Sequence, residues 1–209
     1  MLEFKQGNLL EEDAEALVNA VNCVGVMGKG IALQFKQAFP ENFQQYKKAC
    51  DAKEVQPGRM FTVPTGKLFN PKYIINFPTK RHWRDNSKIE DIQTGLKALV
   101  AEVQQLGITS IAIPALGCGN GGLDWLEVKP LIESAFVELP EVRAIVFEPS
   151  QSHLNRKRPS NPKNASQTTI DSYLASSLRL EVWGYTTSVR LRGLLEFQGV
   201  NPRRRVWFV

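Results

Sequence analysis

One lysine, Lys80, stands where its amine could do chemistry. It follows Pro78, the last residue of the apolar segment YIINFP, by two positions, just outside a buried strand. A lysine at the mouth of an apolar pocket loses its proton more easily than one in water, and the neutral amine is a nucleophile or a general base. A loop lysine is more often simply solvated, so its neighbours must support a catalytic role.

The first glycine-rich segment spans residues 19–39 and reads NAVNCVGVMGKGIALQFKQAF. Paired asparagines at the end of an apolar run precede Gly25, Gly28 and Gly30, and a helical pattern follows. Such a strand–turn–helix unit places backbone N–H groups around an anion, which glycine lets approach closely. An ordinary connection is the alternative, but the glycines and asparagines favour a ligand loop. The segment is not a Walker A loop, because Gly25 is too close to Gly28 and Gly30 replaces Ser or Thr.

A second segment, ALGCGNGGLDW, places Gly117, Gly119 and Gly122 in a G-x-G-x-x-G pattern. A Rossmann fingerprint normally opens its domain and begins its helix at the third glycine. This pattern comes late in the chain, and Asp124 and Trp125 precede its helix. We therefore favour a second phosphate-binding loop over an NAD-dependent oxidoreductase. Together the two loops would hold a diphosphate from both sides.

Strand and helix patterns alternate over the first 150 residues. Strands are predicted over residues 2–6, 16–20, 60–64, 73–77, 109–114 and 142–147, and helices over 31–39, 41–52, 88–106 and 126–137. This alternation predicts an α/β domain whose central sheet is largely parallel. Ligands bind such sheets beyond the carboxyl ends of the strands. Loops 21–30, 78–86 and 115–125 all follow strands, so we expect them to converge at one edge.

The composition is that of a globular protein, with 43% hydrophobic and 22% charged residues among 209. No apolar run is long enough to span a membrane, and the N-terminus lacks a signal-peptide pattern, so we expect a cytoplasmic protein. The cysteines Cys23, Cys50 and Cys118 show no metal-ligand pairing. We interpret them as small buried side chains, although Cys23 and Cys118 could line a pocket.

The net charge of +5 is distributed unevenly. After residue 150 the chain carries ten lysines and arginines but three acidic residues, so this part has a charge of +7 and the first 150 residues a charge of −2. A basic segment indicates nucleic acid or an acidic partner, although a solvated chain can have the same composition.

Four stretches together resemble a macrodomain: GNLL near the start, LVNAVNCVGVMGKGIALQFKQAFPENFQQY, YIINFPTKRHW and IAIPALGCGNGGLDW. Within that family the sequence is most similar to the DNA ADP-ribosyl glycohydrolase antitoxins (the DarG type), relatives of the terminal ADP-ribose protein glycohydrolases. The resemblance covers roughly residues 1–150. It implies an α/β/α sandwich with a mixed, largely parallel sheet that binds ADP-ribose at the strand ends. It implies no metal and no cofactor.

The resemblance also implies roles for residues. Lys80 matches the lysine regarded as catalytic, which attacks the ribose C1″ carbon or assists a water there. Asn22 is expected to contact the distal ribose. Asn8 stands where many macrodomains have an aspartate that holds the adenine amine. The implied ligand-binding residues are Asn8, Asn22, Gly25, Val26, Met27, Gly28, Gly30, Ile31, Ala115, Gly117, Cys118, Gly119, Asn120, Gly121, Gly122 and Leu123.

One departure from the related protein glycohydrolases bears on the substrate. Those enzymes use an aspartate shortly after their GCG, whereas Asn120 and Gly121 stand here and the nearest acid is Asp124. This favours the DNA-directed relatives and implies removal of ADP-ribose from DNA bases, with thymidine expected, by an antitoxin to a DNA ADP-ribosyltransferase. The implied partners are ADP-ribosylated single-stranded DNA and the cognate toxin. A non-catalytic ADP-ribose-binding module and a hydrolase of protein-linked or O-acyl-ADP-ribose remain alternatives.

Residues after 150 lie outside the macrodomain pattern. Residues 151–166 have the composition of a basic linker. Within the uncertain tail, 167–209, the stretch QTTIDSYL resembles a sliding-clamp-binding box through Gln167, Ile170 and Tyr173, with Leu174 in place of its second aromatic. So short a pattern also occurs by chance. We expect the tail to add affinity for DNA and not to build the active site.

Overall fold

The structure is a computed structural model that describes residues 1–149. None of the helices in this range is long and apolar enough to cross a membrane. A short 3₁₀ turn covers Leu9–Glu11. The strands are β1 (Leu2–Lys5), β2 (Ala16–Val21), β3 (Phe61–Pro64), β4 (Tyr73–Pro78), β5 (Ser110–Pro114) and β6 (Arg143–Phe147). The helices are α1 (Gly30–Ala38), α2 (Pro40–Asp51), α3 (Ile89–Gln105) and α4 (Trp125–Val137).

The strands form one mixed sheet in the order β1-β6-β5-β2-β4-β3. Every neighbouring pair is parallel except β3 and β4, which are antiparallel. The carboxyl ends of β1, β2, β4, β5 and β6 therefore lie at the same edge. The expectation of a mixed, largely parallel sheet is confirmed.

Helices cover both faces of the sheet because consecutive strand residues point to opposite sides. In β2, Val18 belongs to a core shared with α3 and α4, where it joins Leu96 and Ile132. Its neighbour Leu17 belongs to a core on the other face with Phe35 of α1. Tyr46 of α2 anchors a third cluster. Three layers result, as expected of an α/β/α sandwich.

Helix α3 lies close to β4 at Gly95. A Cβ added at this position would meet Cε1 of the Phe77 ring at 2.5 Å, and Phe77 is fully buried. Glycine is therefore required for the close approach of the helix and the strand that ends before Lys80.

The observed element boundaries agree with the predicted ones to within one or two residues. The segment after β1 forms a 3₁₀ turn, in which the Asn8 side chain accepts a hydrogen bond from the Leu10 N–H (3.1 Å). Gly107 follows the end of α3 with a φ of +62°, and its N–H donates to the carbonyl of Gln104. Residues 150–209, with the linker and the clamp-box pattern, lie outside the described residues.

Asn19, the first of the paired asparagines, lies inside β2, as the strand predicted over residues 16–20 requires, and is fully buried. Its Nδ2 donates to Oδ1 of Asn76 on β4 (3.0 Å), and Asn76 Nδ2 donates to Oδ1 of Asn42 on α2 (2.7 Å). A buried amide is retained only with hydrogen-bond partners. This asparagine therefore joins elements of the fold and does not contact a ligand.

Candidate active site

The first loop, residues 22–29, connects β2 to α1 and is shaped by Asn22. The Asn22 Oδ1 accepts hydrogen bonds from the N–H groups of Val24 (3.0 Å) and Val26 (3.3 Å), and its Nδ2 donates to the Val26 carbonyl (2.6 Å). The Tyr46 hydroxyl donates to the Asn22 carbonyl at 2.7 Å. An asparagine that bonds the backbone two and four residues on fixes a turn. The contact of Asn22 with a distal ribose stays a prediction.

The second loop, residues 79–88, carries Lys80 in a half-buried position. Its Nζ donates to the carbonyl oxygens of Asn120 (2.9 Å) and Asp85 (3.1 Å). Burial lowers the pKa of Lys80 below its ordinary value of 10.5, and the nearby Asp85 carboxylate offsets part of this effect. The amine is thus held at a fixed point and loses its proton more easily than a solvated lysine.

An ion pair that the sequence did not reveal anchors this loop. Arg81, the next residue after the lysine, makes a two-bond contact with the Asp91 carboxylate in the first turn of α3, at 2.7 and 3.1 Å. The Asp91 side chain is largely buried, which makes such a contact more stabilising than an exposed pair. The spacing of ten residues across a loop and a helix start is not a recognisable pairing signal.

Two glycines of the third loop, residues 115–124, have opposite surroundings. At Gly121 a Cβ would meet the Gly117 carbonyl oxygen at 2.5 Å, so a side chain there would displace the backbone. At Gly119, in contrast, no heavy atom of residues 1–149 lies within 4 Å of where a Cβ would stand. Open space beside an exposed glycine leaves room for a phosphate next to the backbone.

The three loops contact one another at the edge where β2, β4 and β5 end. The Cys23 N–H donates to the Arg81 carbonyl at 3.1 Å, which joins the first loop to the second. The Ser87 N–H donates to the Gly121 carbonyl at 2.8 Å, which joins the second to the third. A Cβ at Gly30 would lie 2.9 Å from Asn120 Nδ2, so the first loop also approaches the third. The expected convergence is confirmed, and Lys80 lies at the junction.

Two predicted ligand-binding residues direct their side chains into the core. Met27 is 2% exposed and lies beside the buried Asn19 amide, and Cys118 is 6% exposed and contacts the Leu116 carbonyl. Any contact of these residues with a ligand would therefore come from their backbone. Cys50 is buried and Cys23 is half-buried, so the interpretation of the cysteines as small buried side chains is confirmed for Cys50 and Cys118.

The remaining predicted residues lie on the loops or at the same edge. Asn8 is exposed at the end of β1, where its Nδ2 donates to Glu11 Oε1 at 2.8 Å. Its amide is thus already engaged in the 3₁₀ turn. Gly25 has a φ of +74° and packs beside Lys47. Gly30 and Ile31 begin α1. The loop positions are Gly25, Val26, Gly28, Ala115, Gly117, Gly119, Asn120, Gly121, Gly122 and Leu123.

The nearest acidic residue of the third loop serves the fold. The Asp124 carboxylate caps α4 by accepting a hydrogen bond from the Leu126 N–H at 3.0 Å. A capping carboxylate satisfies an otherwise unpaired backbone donor. The site therefore combines a poised amine with glycine-rich backbone and has no aspartate of this loop aimed at Lys80.

The profile of the Macro domain family matches residues 18–132, which include all three loops. The chain belongs to the Macro domain family. The macrodomain of Mycobacterium tuberculosis DarG has a similar structure, with a TM-score of 0.71 and 56% identity over 72% of this chain and 99% of that one. The Thermosipho africanus DarTG structure in complex with ADP-ribose matches with a TM-score of 0.66 and 34% identity, over 76% of this chain and 43% of that one.

Curated relatives are similar over the same macrodomain. A DNA ADP-ribosyl glycohydrolase of M. tuberculosis is 56% identical over 150 residues, which is 72% of this chain and 43% of that protein. A DNA ADP-ribosyl transferase–DNA ADP-ribosyl glycohydrolase fusion protein of T. africanus is 34% identical over 168 residues, or 73% of this chain and 43% of the fusion. The chain thus spans less than half the length of these relatives.

Proposed function

We propose that this macrodomain is a DNA ADP-ribosyl glycohydrolase that releases ADP-ribose from a modified base of single-stranded DNA, with thymidine as the expected base. The observation that carries the proposal is the Lys80 amine, held by the Asn120 and Asp85 carbonyls where the three loops meet. The 56% identity to a relative of that name over the same 150 residues supports it.

In the proposed complex the glycine-rich loops hold the diphosphate. The backbone beside Gly119 is open, and the start of α1 at Gly30 lies close to the third loop, so N–H groups of both loops can face the phosphates. Asn22 shapes the first loop, and the backbone of that loop lies against the distal ribose. The Asn8 side-chain oxygen, which already accepts the Leu10 N–H, accepts a second hydrogen bond from the adenine amine. These roles position C1″ of the distal ribose near the amine.

Two routes through Lys80 lead to the same products. In one, the neutral amine forms a bond to C1″ while the bond from C1″ to the base breaks, the base takes up a proton, and water later releases ADP-ribose from the lysine. In the other, the amine takes a proton from a water whose oxygen forms the bond to C1″ while the bond from C1″ to the base breaks, and the departing base takes up a proton. Reductive trapping followed by mass spectrometry distinguishes them, because the first route alone leaves ADP-ribose on Lys80.

The decisive experiment follows the release of ADP-ribose from a single-stranded oligonucleotide modified at one thymidine. Lys80→Ala should lower the turnover by at least about 100-fold, since positioned acid–base or nucleophilic groups contribute that much. The exposed lysine of α3, changed in Lys97→Ala, is the matched control and should leave turnover at the wild-type level. Equal release by wild type and Lys80→Ala would exclude a catalytic lysine.

Other leaving groups define the competing functions. Protein-linked and O-acyl-ADP-ribose, the alternative substrates that the sequence left open, belong in the same comparison. Rates should be highest on the thymidine-linked substrate, because no aspartate of the third loop faces Lys80. Binding of ADP-ribose without turnover of any substrate would identify a non-catalytic binding module instead.

The proposed partner is a DNA ADP-ribosyltransferase whose product this macrodomain removes. The T. africanus fusion joins a transferase and a glycohydrolase in one chain, which supports such a pairing. Expression of a DNA ADP-ribosyltransferase toxin in cells should be tolerated with the wild-type chain and lethal with Lys80→Ala. Equal survival with both variants would show that the chain protects by binding and not by hydrolysis.

A further inference from the structure

The turn that follows Lys80 exposes an aromatic side chain beside the candidate site. Trp83 is 45% exposed, which is unusual for a residue of this size. The His82 ring lies against it with a centroid distance of 5.4 Å and an angle of 32° between the planes. The Arg84 guanidinium stands 4.5 Å from the indole centroid. These three consecutive residues form a stack whose aromatic surface stays partly open to solvent.

The turn is held in shape from several sides. The Asp85 N–H donates to the His82 carbonyl at 3.1 Å, and the Arg84 N–H donates to His82 Nδ1 at 3.3 Å. Lys80 Nζ reaches forward to the Asp85 carbonyl, so the catalytic candidate and the turn share one hydrogen bond. The ion pair of Arg81 fixes the base of the turn. An exposed indole on a braced turn binds a planar partner with little loss of conformational entropy.

The charge around this indole suits a polyanion. Residues 80–88 contain four lysines and arginines and one acidic residue, although the first 150 residues carry a charge of −2 overall. A cleft of about 350 Å³ opens along the same loop and is lined in part by Arg81 and Lys88. Cations beside a partly exposed aromatic ring are features with which proteins hold single-stranded nucleic acid.

The position of the turn limits which part of a strand it can reach. Trp83 is three positions after Lys80, so their Cα atoms lie at most about 11 Å apart. Stacked nucleotides are spaced by about 3.4 Å along a strand. With the two side chains included, the indole lies within a few nucleotides of a modified base whose ribose C1″ is at the Lys80 amine.

We propose that Trp83, braced by His82 and Arg84, stacks on an unmodified base that flanks the ADP-ribosylated nucleotide in single-stranded DNA. This inference rests on the proposed function. It adds a contact between the protein and the part of the strand next to the modified nucleotide. The contact tolerates any base because every base has a π-face. It favours a strand over a lone modified nucleoside, and single-stranded DNA over duplex, whose bases are already stacked.

The test compares kcat/KM on two ADP-ribosylated oligonucleotides, one with normal flanking bases and one with abasic flanks. Trp83→Ala should lower kcat/KM about 10-fold on the normal strand, which is the usual loss for one base stack. It should have little effect on the abasic strand, where no base is present to stack. Trp83→Phe should keep most of the activity. The matched control is Phe69→Ala, since Phe69 is 79% exposed in the loop between β3 and β4, at the opposite edge of the sheet.

An equal loss for Trp83→Ala on both strands would overturn the proposal and assign the residue a role in the shape of the catalytic loop. No loss on either strand would overturn it as well. If the wild type releases nothing, the proposed function fails, and the affinity for unmodified oligodeoxythymidylate decides the stacking separately. If Trp83→Ala lowers this affinity about 5-fold or more and Phe69→Ala does not, the result supports stacking of a base on Trp83. Equal affinities overturn it and leave the exposed indole to a protein partner.

Discussion

Lys80 combines two properties that rarely occur together in a surface loop. Its amine is fixed by two backbone carbonyls, and its surroundings disfavour its charge. The carbonyl contacts hold the nitrogen in place, and the burial makes the neutral form more accessible. A lysine held in this way releases its proton more easily than a solvated lysine, and its neutral amine is a nucleophile or a base.

The pH dependence of turnover follows from this environment. Because burial lowers the pKa of Lys80 below 10.5, turnover should rise with pH and level off at a pH below that value. The measurement is kcat against pH on the thymidine-linked substrate. A profile that falls over the same range would mean that the ammonium form is the active one.

The same shift has a consequence for stability, with a definite sign. A folded-state pKa below the unfolded one means that the unfolded chain binds more protons, so stability rises with pH through the folded pKa. At neutral pH the charged amine of Lys80 opposes folding. We therefore expect Lys80→Met to raise Tm slightly at neutral pH while it abolishes turnover. A lower Tm would show that the carbonyl contacts outweigh the burial.

Gly119 tests the third loop as a phosphate site. Since no heavy atom of residues 1–149 stands near the place of its Cβ, Gly119→Val should fold with a stability within about 1 kcal/mol of wild type. Its side chain would occupy the phosphate position, so the affinity for ADP-ribose should fall by at least about 10-fold. Calorimetry and thermal unfolding measure the two effects.

Gly107 is the control for Gly119, because its replacement should change stability and leave the affinity unchanged. It also faces open space among the described residues, but its φ is +62°, and a side chain in that conformation costs about 1–2 kcal/mol. Gly107→Val should therefore lose stability and keep its affinity for ADP-ribose. Unchanged affinity in Gly119→Val would exclude a phosphate at that position.

At the scale of elements, one carboxylate joins three strands at the edge opposite the site. Glu15 precedes β2, and its Oε2 accepts hydrogen bonds from the N–H (2.9 Å) and the hydroxyl (3.0 Å) of Thr109 before β5. Its Oε1 accepts from Lys72 Nζ before β4 at 2.9 Å. The Thr109 N–H, followed by the Lys72 ammonium, lowers the pKa of Glu15 below 4.5. This residue aligns the strands whose far ends carry the three loops.

Replacing this carboxylate should weaken the domain in a pH-dependent way. Glu15→Gln should cost about 1–2 kcal/mol of unfolding free energy near neutral pH. Because the folded pKa lies below the unfolded one, the stabilisation is present above pH 4.5 and is lost as the pH falls through the folded pKa. Urea unfolding from about pH 7 to about pH 3 should show the two curves converging.

An exposed carboxylate outside this network is the control. Glu54→Gln should change the unfolding free energy by less than about 0.5 kcal/mol throughout the same range. A constant difference between wild type and Glu15→Gln at all pH values would mean that packing, and not the charge of the carboxylate, accounts for the effect.

At the scale of the whole molecule, the charge is distributed unevenly along the chain. The core clusters and the candidate site are built from residues before 150, which carry a charge of −2, whereas the rest carries +7. Residues 80–88 are a basic stretch within this otherwise slightly acidic part of the chain. That the basic residues after 150 add affinity for DNA and do not build the site stays a prediction.

Removal of residues 151–209 should separate DNA affinity from ADP-ribose affinity. The shortened chain should bind ADP-ribose like the full chain and bind unmodified DNA more weakly at low salt. Phosphate contacts release counterions, so the difference between the two chains should shrink steeply as salt rises. Titration of labelled DNA at several salt concentrations measures it. Loss of ADP-ribose affinity in a shortened chain that is still folded would place part of the tail in the pocket.

The sequence by itself determined the order and the limits of the elements. Apolar residues recur with the periods of strands and helices because each element must bury one or both faces. This periodicity can be recognised within a short stretch of sequence. The three glycine- and lysine-bearing loops follow strands, and parallel pairing then places them at one edge. The convergence at Lys80 could therefore be predicted before any contact was known.

The tertiary structure alone decided where the individual side chains point. Asn19 and Asn22 are the same residue type three positions apart. Asn19 bonds Asn76 inside the sheet, whereas Asn22 shapes the first loop. Met27 turns into the core, whereas Trp83 stays in solvent. These differences depend on partners far along the chain, such as Asn76 for Asn19 and Asp91 for Arg81, and only the packing of helices on the sheet brings them together. No local pattern records such partners, because burial and hydrogen bonding are properties of the assembled fold.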